Sequence, residues 1–162
     1  MTIFTNASTS SKAQGLDGFL SLHKAGEKES WTVMDLLQHL GYPQESSTFL
    51  KAYAQALGDP TLDIILAKQD TQVLGLISLR TVCSLRLSGL LTSIEELVVH
   101  PQYRGMGIGG CLLAEAQMRA KCQGAVLLEV HTTSTRESFK REFYIKHGFT
   151  QAQTSVFRWN PS

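Results

Sequence analysis

An α/β fold with α+β character, a mixed and mostly antiparallel central sheet with helices on both faces, is predicted by three features of this sequence. Two strand-like runs, Leu62–Ala67 and Val73–Leu79, flank Gln69-Asp70-Thr71, which is the pattern of an antiparallel hairpin. A third run, Ser93–Val99, leads through a glycine-rich stretch into a segment of helical periodicity. That helix ends at Gly124 and is followed at once by the nearly continuous apolar run Ala125–Val130. A helix between two strands makes a crossover connection, so this second pair should be parallel.

The remaining elements follow in chain order. Residues 1–30 are rich in Ser, Thr, Lys and Gly, with only a short apolar stretch at Phe19–Leu22, and their structure is poorly specified. Val33, Leu36, Leu37 and Leu40 have helical spacing from Trp31 and stop at Gly41-Tyr42-Pro43. A second helix is expected over Thr48–Leu57, closed by Gly58-Asp59-Pro60. Residues 81–91 extend the hairpin or form its loop, and His100-Pro101 closes the third strand. In the long helix Ile108, Leu112, Leu113, Ala116 and Ala120 share one face, with Glu115, Gln117, Arg119 and Lys121 elsewhere. The run Ala125–Val130 suits a central strand covered on both sides. Ser134-Thr135-Arg136-Glu137 has capping-box form and predicts a last helix to about His147, stopped by Gly148. Phe149–Trp159 is then expected as a final strand.

Bulk properties narrow the function. A chain of 162 residues with 43% hydrophobic composition suits one domain over residues 1–162, with one core and one site. A formal net charge of +1 without any basic tract argues against a nucleic-acid partner. No run of about 18 apolar residues is present, so no membrane-spanning helix is expected. Met1–Ser11 carries neither charge nor an apolar h-region, so the expected location is cytoplasmic. Cys83, Cys111 and Cys122 lack metal-ligand spacing and read as reduced thiols, and no metal site is predicted. His100, His131 and His147 are isolated and read as surface or strand-end residues, His131 being a minor candidate for an acceptor pocket.

The chemistry is concentrated in Arg104-Gly105-Met106-Gly107-Ile108-Gly109-Gly110. Glycine removes side chains that would hold a ligand away and allows backbone angles that turn several N–H groups inward. The helix starting there adds unbonded amides and the positive end of its dipole, a combination suited to a pyrophosphate. Arg104 adds a full charge at the rim. A tight turn alone would need one or two glycines and no arginine.

The segment Ile94–Gly110 resembles the core motif of the GCN5-related N-acetyltransferase (GNAT) superfamily, in which Arg or Gln is followed by two residues, Gly, one residue, and Gly or Ala; here these are Arg104, Gly107 and Gly109. Phe143-Tyr144-Ile145-Lys146-His147-Gly148-Phe149 resembles that family's closing helix and turn. Together the two matches span about residues 92–150. The resemblance implies acetyl-CoA as co-substrate, direct transfer of the acetyl group to a primary amine of a small molecule or peptide, and a parallel strand pair splayed at the cofactor site. It implies that the backbone of Leu97, Val98 and Val99 pairs with the pantetheine arm and that the amides of Gly105 to Gly110 hold the pyrophosphate. It further implies that the Tyr144 phenol protonates the departing thiolate, intrinsically near about 8.5. A homodimer is a modest expectation from the family.

An alkylammonium must lose a proton before it attacks. Strand alternation puts Glu95 on the face of Leu97 and Val99, and a Glu serves as base at the matching place in some polyamine acetyltransferases of the superfamily; Glu96 then faces the other way. A bulge in this strand would invert that choice. One departure from the family is Glu137, where many relatives carry Asn seven residues before the tyrosine. The acceptor is not specified, although Leu40-Gly41-Tyr42-Pro43 resembles a helix end of small-molecule acetyltransferases and favours a small amine. Two other readings compete. A non-catalytic acyl-CoA-binding module would keep the loop without needing Tyr144 or the strand carboxylates. A dinucleotide-binding oxidoreductase would use Gly105-x-Gly107-x-x-Gly110 with Glu129 downstream. The latter lacks the close strand-to-glycine spacing and the second mononucleotide half.

Overall fold

The computed structural model describes residues 10–11 and 19–161. The weakly patterned residues 1–9 and 12–18 lie outside the described residues. The chain divides into two compact units, Met1–His131 and Thr132–Ser162, which are taken in turn.

The first unit holds one sheet of six strands in the order of the chain: β1 (Ser10–Ser11), β2 (Leu20–Lys24), β3 (Leu62–Gln69), β4 (Gln72–Ser84), β5 (Gly89–Val99) and β6 (Ala125–Val130). All neighbours are antiparallel except β5 and β6, which run parallel as the crossover requires. The hairpin β3–β4 turns at Asp70-Thr71, where Asp70 adopts a positive φ of 52°. Both β4 and β5 are longer than the hydrophobic pattern indicates. They pair through Thr81–Ser84 and Gly89–Thr92, so the hairpin is extended and the turn is confined to Leu85–Leu87 and Ser88.

Each side of the sheet carries a helix layer. On one side, Ile64, Leu66, Leu76 and Val98 form a buried cluster with Val33 and Leu36 of α1 (Ser30–His39) and Phe49 and Tyr53 of α2 (Ser46–Gly58). The Tyr53 hydroxyl donates to the Gly26 carbonyl at 2.8 Å, and Lys68 pairs with Glu29 at 2.8 Å, tying the chain before α1 to this layer. On the other side lies α3 (Ile108–Cys122), which buries Ile108, Leu112, Leu113 and Ala116. Glu115, expected on the outer part of this helix, is buried instead. It accepts from Arg119 at 2.6 Å, and Arg119 also reaches Asp63 of β3 at 3.5 Å. A charge one turn from its partner can enter the interface because the pair is satisfied there.

Four sequence expectations fail. The run Ala125–Val130 is not a central strand: β6 ends the strand order, with Val126 and Leu127 exposed. An apolar run records what a strand can bury and says nothing of what covers it. In the second unit, Phe149–Trp159 forms no strand, and Phe157 and Trp159 are exposed. The expected helix over Ser134–His147 is two short pieces, α4 (Glu137–Lys140) and α5 (Phe143–Lys146), broken at Glu142 with φ 55°. The N-cap of α4 is Arg136, without a side-chain cap, so Ser134 does not form the capping box.

At Gly75 of β4 the neighbouring strand approaches closely. A Cβ there would stand 2.7 Å from the Val98 carbonyl oxygen and 3.4 Å from Leu112 Cδ1. Gly75→Ala is therefore expected to lower stability by about 1–3 kcal/mol in urea unfolding, the usual cost of forcing packed backbone apart. A midpoint equal to the parent's would show that β4 and β5 separate freely at this point.

Candidate active site

The site is built around the C-terminal half of β5. Pairing with β6 extends from Leu90 to Ile94 and stops, whereas pairing with β4 continues to Val99. From Glu95 onward β5 thus has a strand on one side only among the described residues, and the backbone edge of Leu97–Val99 that faces away from β4 has no strand partner. The parallel ladder stops at Ile94 because β6 itself ends at Val130.

The strand is also bulged. Ser78 pairs with Glu96 and Leu79 with Ile94, so Glu95 is the inserted residue. Strand alternation, which selected Glu95 as the carboxylate on the face of Leu97 and Val99, is interrupted at Glu95 itself, while Glu96 faces away from Leu97 and Val99 as expected. Leu97 and Val99 lie opposite Ile77 and Gly75 on the α3 side, while Glu96 and Val98 lie opposite Ser78 and Leu76 on the side of α1 and α2. Glu95 is exposed and Glu96 is half-buried. The Ser78 hydroxyl donates to the Glu96 carboxylate and accepts from the Glu96 backbone N–H at 3.0 Å. Desolvation pushes the Glu96 carboxyl above the usual carboxylate range; the Ser78 hydrogen bond opposes this, the Glu95 charge adds to it, and Arg80 opposes it. Arg80 is itself held by Asp59 and by Thr61 Oγ1, each at 2.8 Å.

Beyond Val99, His100 opens a 3₁₀ turn over Pro101–Tyr103, and the glycine loop follows. Arg104 is exposed and its Nε donates to the Val99 carbonyl at 3.0 Å, fastening the loop to the strand end. Gly105 and Gly107 have φ of 84° and 82°, the left-handed region that other residues adopt only under strain. Gly107 is the N-cap of α3 and offers no side-chain cap, and the first intrahelical bond runs from Cys111 N to its carbonyl at 3.1 Å. The amides of Ile108, Gly109 and Gly110 therefore precede the helix's own bonding and open onto the loop. Met106 is half-buried within it.

A model of the acetyltransferase (GNAT) domain matches residues 60–151, more than half of the chain. The chain belongs to the GNAT acetyltransferase domain family. This GNAT domain is 38% identical, over 104 residues, to an aminoalkylphosphonate N-acetyltransferase of Salmonella typhimurium (strain LT2), a match covering 64% of the chain and 67% of that relative. It superposes with a TM-score of 0.78 on a transcriptional regulator from Bacillus halodurans C-125, at 22% identity over 87% of the chain and 99% of that structure. With an acetyltransferase of Trypanosoma brucei the TM-score is 0.72, at 24% identity over 88% and 99%. Those two likenesses establish the fold. The family match and the curated relative make the chain an acetyl-transferring enzyme that acts on an amine.

In the second unit, Tyr144 lies on α5. Its ring meets Phe143 and Phe149 edge-on, with centroids 5.2 and 5.8 Å away, and its carbonyl accepts from Phe149 N at 3.0 Å. Burial pushes the phenol above its ordinary range, with Arg136 opposing. It is a protonated hydroxyl at neutral pH. Glu137, where many relatives carry Asn, pairs with Lys140 at 2.9 Å.

Sequence reasoning missed Ser78 and Arg80, which surround Glu96. Neither carries a motif, and only the strand register reveals them. Because Glu96 holds its proton more tightly folded than unfolded, its contribution to stability is largest at acid pH and is lost as pH rises through the folded value. Glu96→Gln, neutral throughout, is expected to gain stability relative to the parent as pH rises from the acid range to above neutrality. Parallel urea curves for the two proteins at both ends of that range check this, and a constant difference would place the carboxylate in ordinary solvent.

Proposed function

We propose that the protein transfers the acetyl group of acetyl-CoA directly to the primary amine of a small acceptor. The observation that carries the reading is the continuity of an unpaired strand edge, Leu97–Val99, with an uncapped, glycine-lined helix start, Gly105–Gly110. An extended pantetheine arm presents amide groups at spacings a free strand edge can bond, and a pyrophosphate suits the helix amides and dipole. The chain's own groups fit that ligand: glycines leave the approach open, and Arg104 adds charge beside it. Acetyl-CoA would supply the thioester and leave as coenzyme A thiol; what this chain supplies is position and proton handling.

Glu96 is the base we favour. A carboxylate held above its usual range by burial takes a proton from an ammonium more readily than the exposed Glu95. Tyr144 is the acid we favour, since a phenol is protonated at neutral pH and can donate to a thiolate forming beside it. Support for a small acceptor comes from the aminoalkylphosphonate N-acetyltransferase relative. The test is thiol release from acetyl-CoA with aminoalkylphosphonates, amino sugars, polyamines and a lysine peptide. The fastest turnover is expected with a small amine; turnover confined to the peptide would overturn the acceptor class.

Two further outcomes are expected. Gly109 sits at helical angles, so Gly109→Val adds bulk without left-handed strain; it should weaken coenzyme A binding by more than about tenfold in calorimetry, and unchanged affinity would remove the loop from the site. Tyr144→Phe should leave the coenzyme A dissociation constant nearly unaltered while turnover falls by about 10²–10⁴, the span of a positioned acid. Weakened binding with turnover intact would make the ring a packing element.

A further inference from the structure

Among the described residues, one set of metal-ligating side chains gathers outside the loop and carboxylates already discussed: Asp35 and His39 on α1, and His100 directly after β5. We infer that these three residues form a binding site for a divalent transition-metal ion of the zinc or cobalt class, which clamps the end of α1 to the junction between β5 and the glycine loop.

The geometry is already close to a chelate. One ligand atom from each of the three residues lies within 4.8 Å of the others. Asp35 and His39 are one helical turn apart, the separation that puts two ligands on one helix face, and their carboxylate and Nε2 are 3.6 Å apart. The His39 ring meets that of His100 edge-on, with centroids 4.9 Å apart. His100 is fixed in place from the main chain, since its N–H donates to the Leu74 carbonyl at 2.9 Å, so the third ligand is presented by the sheet. Asp35 and His39 are exposed, which gives an ion a path in and leaves room for water to complete its coordination.

The donor set decides the class of ion. Two imidazole nitrogens and one carboxylate match zinc, cobalt or nickel, whereas calcium and magnesium take oxygen ligands. Each imidazole must offer a neutral nitrogen lone pair. For His100 this means giving up the contact in which Nδ1 accepts from Gln102 N; at 3.4 Å that contact is at the weak limit and is readily surrendered. The Tyr103 ring, 5.6 Å from His100, then limits the orientations the imidazole can take. Cysteine spacing, the signal that excluded a metal in the sequence, has no bearing on a site whose ligands are sixty-one positions apart, from His39 to His100.

The test uses the full chain stripped with chelator and then titrated with zinc chloride by calorimetry and with cobalt chloride by visible absorption. The expected result is one ion per chain, cobalt d–d bands of a four- or five-coordinate site, and a raised melting temperature. Asp35→Asn, His39→Ala and His100→Ala should each weaken binding by at least about tenfold. Asp35→Asn preserves the shape of the helix surface and its melting in chelator serves as the folding control; should His100→Ala fail to fold, the two helix variants decide the matter. Absence of stoichiometric binding would overturn the inference, and so would affinity unchanged in Asp35→Asn and His39→Ala.

Discussion

The site depends on where β5 loses its second neighbour. A strand inside a sheet has both backbone edges committed to hydrogen bonds, and nothing extended can be added to it. Here the parallel ladder to β6 ends at Ile94, and the next residue, Glu95, is the one inserted in the ladder to β4. A bulge increases local twist and bends its strand, and this one falls one residue past the end of the parallel ladder. Past it, three residues offer an open edge while β4 still holds them firmly on the other side. The closeness of that hold is visible at Gly75, where even a methyl group would meet the Val98 carbonyl.

The same irregularity sorts the side chains. Without the bulge, Glu95 and Leu97 would share a face and Glu96 would share one with Ile94. With it, Ile94 is placed on the opposite face from Glu96, which keeps the face of Val98 on the α1 and α2 side in register with Ser78, and the hydroxyl of Ser78 bonds both the Glu96 carboxylate and its backbone N–H. The strand end continues this economy of parts: the Val99 carbonyl accepts the Arg104 side chain, so the loop is positioned by the strand it extends. One strand end thus carries a backbone edge, a carboxylate and the entry to the helix.

The fold class, the hairpin, the crossover and the glycine loop were legible because each rests on a local rule. Periodicity marks α1, α2 and α3, and positive φ at Gly105 and Gly107 answers to glycine and little else. What the sequence hid was non-local. A bulge leaves no mark in a run such as Ile94-Glu95-Glu96-Leu97, because it is a property of two strands in register, and so alternation alone does not place Glu95. Glu115 looked like a surface residue because its partners, Arg119 and through it Asp63, are assembled only by packing. Val126 and Leu127 looked like a covered core for the converse reason: hydrophobicity was read as burial. The break at Glu142 was also illegible, since the segment around it has helix-forming residues throughout and only the backbone angle records the interruption.

The environment of Glu96 suits the proposed proton transfer better than a carboxylate in water would. An exposed carboxylate lies several powers of ten below an alkylammonium in proton affinity, so direct transfer is steeply uphill. Enclosure narrows that gap from both ends. Desolvation raises the carboxyl, and an ammonium brought into the same enclosed space loses hydration and becomes the stronger acid. The two shifts are coupled, because the arriving cation would itself favour ionised Glu96, and that attraction disappears once the proton has moved. Glu95 and Arg80 act on this balance with opposite sign, the first strengthening the base and the second weakening it. Arg80 is restrained by Asp59 and Thr61 beyond the end of α2, so the strength of the base is set partly by a contact at the rim of the helix layer. In this proposed mechanism a contact beyond the end of α2 tunes the group that deprotonates the acceptor.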